Sequence, residues 1–452
     1  MPVDETRTLS PEPSTAQQPA TTEKTRTATP AKQTAPYSVW LVRLMVVGLV
    51  LAALNLRPAI TSLGPLLAEV RQGLGMSGTV AGLLTSVPSV CFAIFGIMAP
   101  RLARRFGPAT IVCAGMAAIG LGLFLRPFAG GTAGFLAASA LALVGIAVSN
   151  ILLPAIVKQW FPDRVSTMTG LYSMALAIGT SLAALSTVPL TKALGGSWQT
   201  GLAVWGVLAV LALCVWLPLA VRHGRDRRAA GTRAQKETPD VEALESAAEA
   251  PARTAAPALS MARSRTAWAL ACFFGLQATA AYITMGWMPQ IFRDAGISAG
   301  TSGILLALTM AMGIPLAFVI PRVATRLTNQ GPVVLVLGLC GLTGYAGLFL
   351  APAGGAWAWA LLLGISNCSF PLALTMIGLR AKTHAGVVKL SAFAQSIGYL
   401  ISIPGPLLIG MLHDATGGWG VPIALMATLM VPQMVVGVLA GRNRTVETEA
   451  AA

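Results

Sequence analysis

Charge is what this sequence has least of. Only 10% of its 452 residues are Asp, Glu, Lys or Arg, against roughly 25% in a soluble protein, so the chain lacks the polar surface needed to dissolve in water. The six cysteines (Cys91, Cys113, Cys214, Cys272, Cys340, Cys368) include no CxxC pair and all lie inside apolar runs. They read as small core residues, which excludes a disulfide scaffold and a thiolate metal site. His223, His384 and His413 lie at run ends or in loops, outside metal-ligand spacing. No Gly-x-x-x-x-Gly-Lys-Ser/Thr is present, which excludes a P-loop. A formal Gly-x-Gly-x-x-Gly at Gly73–Gly78 follows an apolar run rather than a strand, which argues against dinucleotide binding. With no His or carboxylate inside an apolar run, an intramembrane enzyme has neither base nor metal. The expectation is a protein that is not an enzyme and holds no cofactor or metal.

What is abundant is long apolar sequence, 55% of residues at a mean hydropathy of +0.71. Twelve runs approach or exceed the roughly 20 residues that a helix needs to cross a bilayer, at about 39–68, 78–100, 108–126, 134–157, 165–190, 198–221, 265–292, 300–321, 332–352, 354–379, 386–410 and 419–440. Their lack of strict alternation points to helices rather than barrel strands, hence an all-α membrane protein with twelve transmembrane helices. Of the 31 Lys and Arg, all but Arg57, Arg71, Arg126, Lys192 and Arg293 fall in the tails, in loops after even-numbered runs or at the run ends that adjoin them. The positive-inside rule then places both termini in the cytoplasm. The net charge of +15 is a topology signal facing lipid head groups, with no domain for nucleic acid.

The pattern divides the chain into a polar tail, 1–36, expected to be disordered; a six-helix bundle, 37–221; a linker, 222–264, basic then acidic, with room for a short helix near Val241–Glu249; a second six-helix bundle, 265–441; and a tail, 442–452. The halves repeat. "MAPRLARRFGP" (Met98–Pro108) matches "VIPRVATRLTNQGP" (Val319–Pro332), and "SNILLP" (Ser149–Pro154) matches "SNCSFP" (Ser366–Pro371). Two bundles of like orientation make a parallel repeat with its site near midplane between them.

Together with "LNLRPAITSLGPLL", "APRLARRFG" and "FPLALTMIGLRA", these features resemble the major facilitator superfamily, and within it the cyanate/2-nitroimidazole permease family. The superfamily's loop motif, Gly-x-x-x-Asp-Arg-x-Gly-Arg-Arg, is matched by Gly96, Arg101, Arg104 and Arg105, while Pro100 and Ala103 replace the Asp and the second Gly. Arg101, Arg104 and Arg105, with Arg322 and Arg326 in the second half, are thereby implied as gating-loop residues. The resemblance implies a monomeric multi-pass protein of a bacterial cytoplasmic membrane, with helices one, four, seven and ten lining a cavity. It also implies that the cavity takes a small anion or compact polar heterocycle.

Arg57 is the singular residue. It lies 14 positions after Arg43 and 12 before Glu69, roughly 21 and 18 Å along a helix, too deep to snorkel. Every one of the 16 carboxylates falls in a tail, the linker, a loop or a helix end, so none pairs with it inside the bilayer. An intramembrane charge usually marks a pathway, which favours contact with an electron-rich substrate over a permanent brace between helices. Thr61 shares its helical face, and Asn55 lies on another. Gln277, Tyr282, Asn367, Gln395, Tyr399 and, nearer one end, Asn150 are further substrate-binding candidates. For each, an interhelical hydrogen bond is the competing role. With no carboxylate on the path, protons would travel on the substrate itself, or transport would be uniport or exchange. Multidrug efflux and a non-transporting sensor are the alternatives.

Overall fold

A computed structural model describes residues 39–236 and 261–450. Met1–Val42 and Arg43–Ala452 form separate compact units, and of the first only Val39–Val42, an opening helical turn, is described. The tail 1–36 and the expected helix at 241–249 lie outside the described residues.

Among the described residues all regular structure is helical. Twelve helices are long and apolar enough to span a bilayer: α1 (Val39–Thr61), α2 (Gly78–Gly96), α3 (Pro108–Phe128), α4 (Thr132–Trp160), α5 (Thr167–Ala193), α6 (Trp198–Arg225), α7 (Arg265–Asp294), α8 (Ala299–Arg326), α9 (Gly331–Leu350), α10 (Ala356–Leu379), α11 (Ala385–Thr416) and α12 (Gly420–Ala440). Exposed apolar side chains such as Leu121, Leu211, Val336, Leu339 and Val435 give the bundle a surface suited to lipid. Helical structure continues past α6 to Lys236, so the first third of the expected linker prolongs a helix.

The sequence repeat reappears as a repeat of packing. α3 packs on α4 and α6, and α9 packs on α10 and α12; α2 meets α4 as α8 meets α10. The halves join through two related pairs, α2 with α11 and α5 with α8. Small residues allow these close crossings. A Cβ on Gly82 would meet Pro406 O at 2.8 Å, and one on Gly303 would meet Ala184 O at 2.7 Å.

The two ends of the molecule differ. At the end opposite the basic loops, polar side chains tie the halves together. Arg293 Nη1 lies 2.7 Å from Glu69 Oε2 and 3.2 Å from Pro65 O. Asp414 accepts from Thr79 N at 2.9 Å and pairs with Arg71 at 3.5 Å. Within the second half, Asp294 accepts from Trp419 Nε1 and Gln290 Nε2. Partly exposed ion pairs contribute at most about 1 kcal/mol each, so packing holds this end and the charges set its register.

At the basic end, the short helix Val446–Ala450 folds back onto the second half, so part of the expected tail is a clasp. Glu447 accepts from Lys382 N, Thr383 N and the Thr383 hydroxyl, capping α11. Glu449 accepts from the Ser264 and Thr266 hydroxyls and Thr266 N, capping α7. Arg380, buried at the end of α10, donates to Ala440 O, Gly441 O and Gln330 Oε1. Burial alone would raise both glutamate carboxyls, but these hydrogen bonds outweigh it and hold both below their ordinary value.

Two outcomes follow from these ends. A carboxyl depressed in the fold contributes stability at neutral pH that is lost as pH falls through its folded value. Glu447→Gln and Glu449→Gln are therefore expected to lower stability at pH 7 by about 0.5–2 kcal/mol per cap, read as a lower Tm, and the deficit should shrink as acid protonates the wild-type carboxyls. A constant deficit across pH 3–7 would contradict the clasp. At the other end, Asp414→Ala should accelerate hydrogen exchange at the start of α2 and the end of α11 while leaving α10 unchanged, measured by mass spectrometry.

Candidate functional site

The site starts from a break in α1. Helix Val39–Asn55 stops, Leu56 and Arg57 form a turn, and helix resumes at Pro58–Thr61 and Leu63–Leu74. Pro58 has no N–H, so the carbonyl of Leu54, four residues earlier, has no intrahelical donor. Gly179 of α5 packs directly on that carbonyl, where any Cβ would collide with it. Asn55 Nδ2 donates to Leu51 O at 2.8 Å and to Leu208 O of α6 at 3.1 Å. The Arg57 carbonyl accepts from Ile60 N, Thr61 N and the Thr61 hydroxyl.

A second arginine fixes the turn from behind. Arg126, only 2% exposed, donates to Ala59 O at 2.9 Å and Ser62 Oγ at 3.4 Å, with its guanidinium 5.9 Å from the Phe135 ring. Read from sequence, Arg126 is a loop charge at the end of α3. The structure makes it the brace between helices, the role that competes with ligand contact for Arg57. The available signal was local: Arg126 stands between Leu125 and Pro127-Phe128, in an apolar context unlike that of a loop.

Arg57, partly buried, faces a cavity of about 850 Å³ lined from α1, α4, α5, α7, α8, α10 and α11. The cavity runs toward the basic end, reaching Thr169 at the start of α5, Pro321 on α8 and Thr375 on α10. Among the described residues, Arg57 is the only charged side chain in its lining. Its guanidinium lies within electrostatic reach of Tyr282, Tyr172 and Tyr399.

Of the nine binding candidates read from sequence, Arg57, Asn150, Gln277, Tyr282, Asn367, Gln395 and Tyr399 all line the cavity. Thr61 and Asn55 do not; both are buried, with their polar atoms committed to the α1 break. Gln277 Nε2 donates to Asn367 Oδ1 at 3.5 Å, while Gln277 Oε1 is buried without a partner. Gln395 Nε2 donates to Ser391 Oγ at 2.7 Å. Asn150 and Asn367 each stand four residues before a proline, Pro154 and Pro371, so their main-chain carbonyls also lack an intrahelical donor.

Sequence reading missed Tyr172, whose hydroxyl donates to Asn150 Oδ1 at 2.8 Å. The chain has only five tyrosines and three of them line this cavity, a scarcity that could have flagged it. An aromatic wall was missed as well. Tyr399 stacks on Phe92 at 4.9 Å and meets Phe274 edge-on at 5.1 Å, with Phe370 5.8 Å from Phe274. Arg101, Arg104, Arg105, Arg322 and Arg326 are exposed at the basic end, with Arg105 5.2 Å from the Phe106 ring. Among the described residues no cluster of His, Cys, Asp or Glu could hold a metal ion.

The Major Facilitator Superfamily matches residues 45–403. The chain is 31% identical to the 2-nitroimidazole transporter of Escherichia coli (strain K12), over 89% of this chain and 96% of that protein. It is 30% identical to the cyanate transport protein CynX of the same organism, over 87% and 96%. In fold it is similar to the inward-open xylose transporter XylE from E. coli, with a TM-score of 0.67 at 11% identity, over 91% of this chain and 99% of that one. With twelve apolar helices paired as two repeats around one central cavity, the chain belongs to the major facilitator superfamily of transporters, in its cyanate/2-nitroimidazole permease family.

Proposed function

We propose that this transporter moves a small anion or compact polar heterocycle across the cytoplasmic membrane of a bacterium by alternating access, with Arg57 holding the substrate. The observation behind this reading is that, among the described residues, Arg57 is the only charged group in a cavity otherwise lined by neutral side chains. A guanidinium offers a planar fork to two acceptor atoms at once, which an ammonium cannot do. Gln277 Oε1, buried and unpartnered, supports a ligand with an N–H or O–H, because an unmade buried hydrogen bond is costly. Phe274, Phe370 and Tyr399, which line the cavity, support a flat ring, which aromatic side chains pack against. Both features favour a heterocycle over a bare linear anion. The relatives' names, a 2-nitroimidazole transporter and a cyanate transport protein, fall within this class.

Alternating access would close the basic end over the cavity and part the α2–α11 and α5–α8 crossings at the other. The exposed arginines Arg101, Arg104, Arg105, Arg322 and Arg326 stand at the end that has to close. With the positive-inside rule, that end faces the cytoplasm, and both termini lie there.

The first test is a thermal-shift measurement on purified protein with cyanate and with 2-nitroimidazole, comparing wild type and Arg57→Gln. At 100 times its dissociation constant a ligand adds about 2.7 kcal/mol to the folded state. We expect a shift in wild type and none in the variant. Equal shifts in both would mean that the apolar walls hold the ligand, the arrangement suited to multidrug efflux. In vesicles, Arg57→Lys should insert normally and lose most uptake; wild-type uptake by that variant would refute the role of the fork.

A further inference from the structure

Arg57 raises a question about the empty carrier. While the cavity is open, water can solvate the guanidinium. To reorient, the open end must close around it and displace that water. The lining then offers Tyr282, Tyr172 and Tyr399 and the amides of Asn150, Gln277 and Asn367, all of them neutral. Among the described residues the lining holds no Asp, Glu or His to offset the charge, and Asp163, at the basic end, is exposed outside it. Glu69, Asp294 and Asp414 lie at the opposite end and are engaged there with Arg293, Trp419 and Arg71. An isolated charge is costly to enclose away from water, and a bound counter-charge removes most of that cost.

We infer that the protein is an obligate exchanger: the empty carrier does not reorient, and one anion enters only as another leaves. The inference rests on the reading of Arg57 as the substrate-holding residue. Loaded with a monoanion, the closed cavity is neutral; empty, it holds an uncompensated cation. One-for-one exchange moves no net charge and needs no proton site on the path. The direction of net transport of any one substrate is then set by the gradient of the other.

The test uses the full chain in proteoliposomes. One set is filled with unlabelled 2-nitroimidazole or cyanate and another with potassium gluconate only, both free of chloride. Potassium and valinomycin on both sides keep membrane potential from limiting net anion entry. Entry of the same labelled compound is then followed. Exchange predicts uptake into pre-filled vesicles at least about tenfold faster than into gluconate vesicles. Tenfold corresponds to about 1.4 kcal/mol, well below the penalty for enclosing an unpaired ion. Equal rates in both sets would overturn exchange while leaving the binding reading intact. Uptake in neither set, for either probe, would overturn the binding reading and this inference with it.

Discussion

The structure is organised around one positive charge, Arg57, in a cavity whose described lining holds no acidic side chain. A buried ion is tolerated where polar groups face it, and the fold supplies them. The α1 break brings Arg57 out of the helical ladder and into a cavity, with Tyr282 against it. Arg126 meets the other side of the same turn and gives its donors to Ala59 and Ser62. The two arginines divide the work: one fixes the backbone, and the other is left facing the cavity.

Proline is the means by which this membrane fold exposes backbone polarity where it is wanted. In a bilayer an unsatisfied carbonyl is expensive, so each one freed needs cover or a ligand. Pro58 frees Leu54 O, which Gly179 covers, and Pro289 frees Met285 O, which Gly64 covers. Pro154 and Pro371 free the carbonyls of Asn150 and Asn367, and all four residues line the cavity. The first pair of prolines lets α1 and α7 pack closely against neighbours. The second pair stands beside cavity-lining asparagines, one in each half, as the sequence repeat requires.

The two ends of the molecule are built for different tasks. At the closed end, partly exposed ion pairs lie over tight α2–α11 and α5–α8 crossings, a surface that can separate without stranding a deeply buried charge. At the basic end, the C-terminal clasp ties the starts of α7 and α11 to one another, and Arg380 joins the ends of α10 and α12 to the start of α9. These bonds cross-link the helix ends of the second half at the basic end.

Much of this was legible in the chain. Span number, the repeat, the family resemblance and the singularity of Arg57 follow from hydrophobic length, charge placement and the cost of charge in a bilayer, all local properties of sequence. Seven of the nine candidate binding residues line the cavity because depth along a span can be counted from its flanks. Tertiary structure decided the rest. Depth does not say which way a side chain points, so Thr61 and Asn55 passed as candidates although packing had committed them to the α1 break. Nor does a position at a span's end reveal burial: Arg126 and Arg380 read as loop charges until helices from elsewhere in the chain closed over them. The aromatic wall joins Phe92 on α2, Phe274 on α7 and Tyr399 on α11, and no sequence spacing encodes that meeting. Partners of this kind are brought together by the packing of the two halves, which is a property of the folded chain alone.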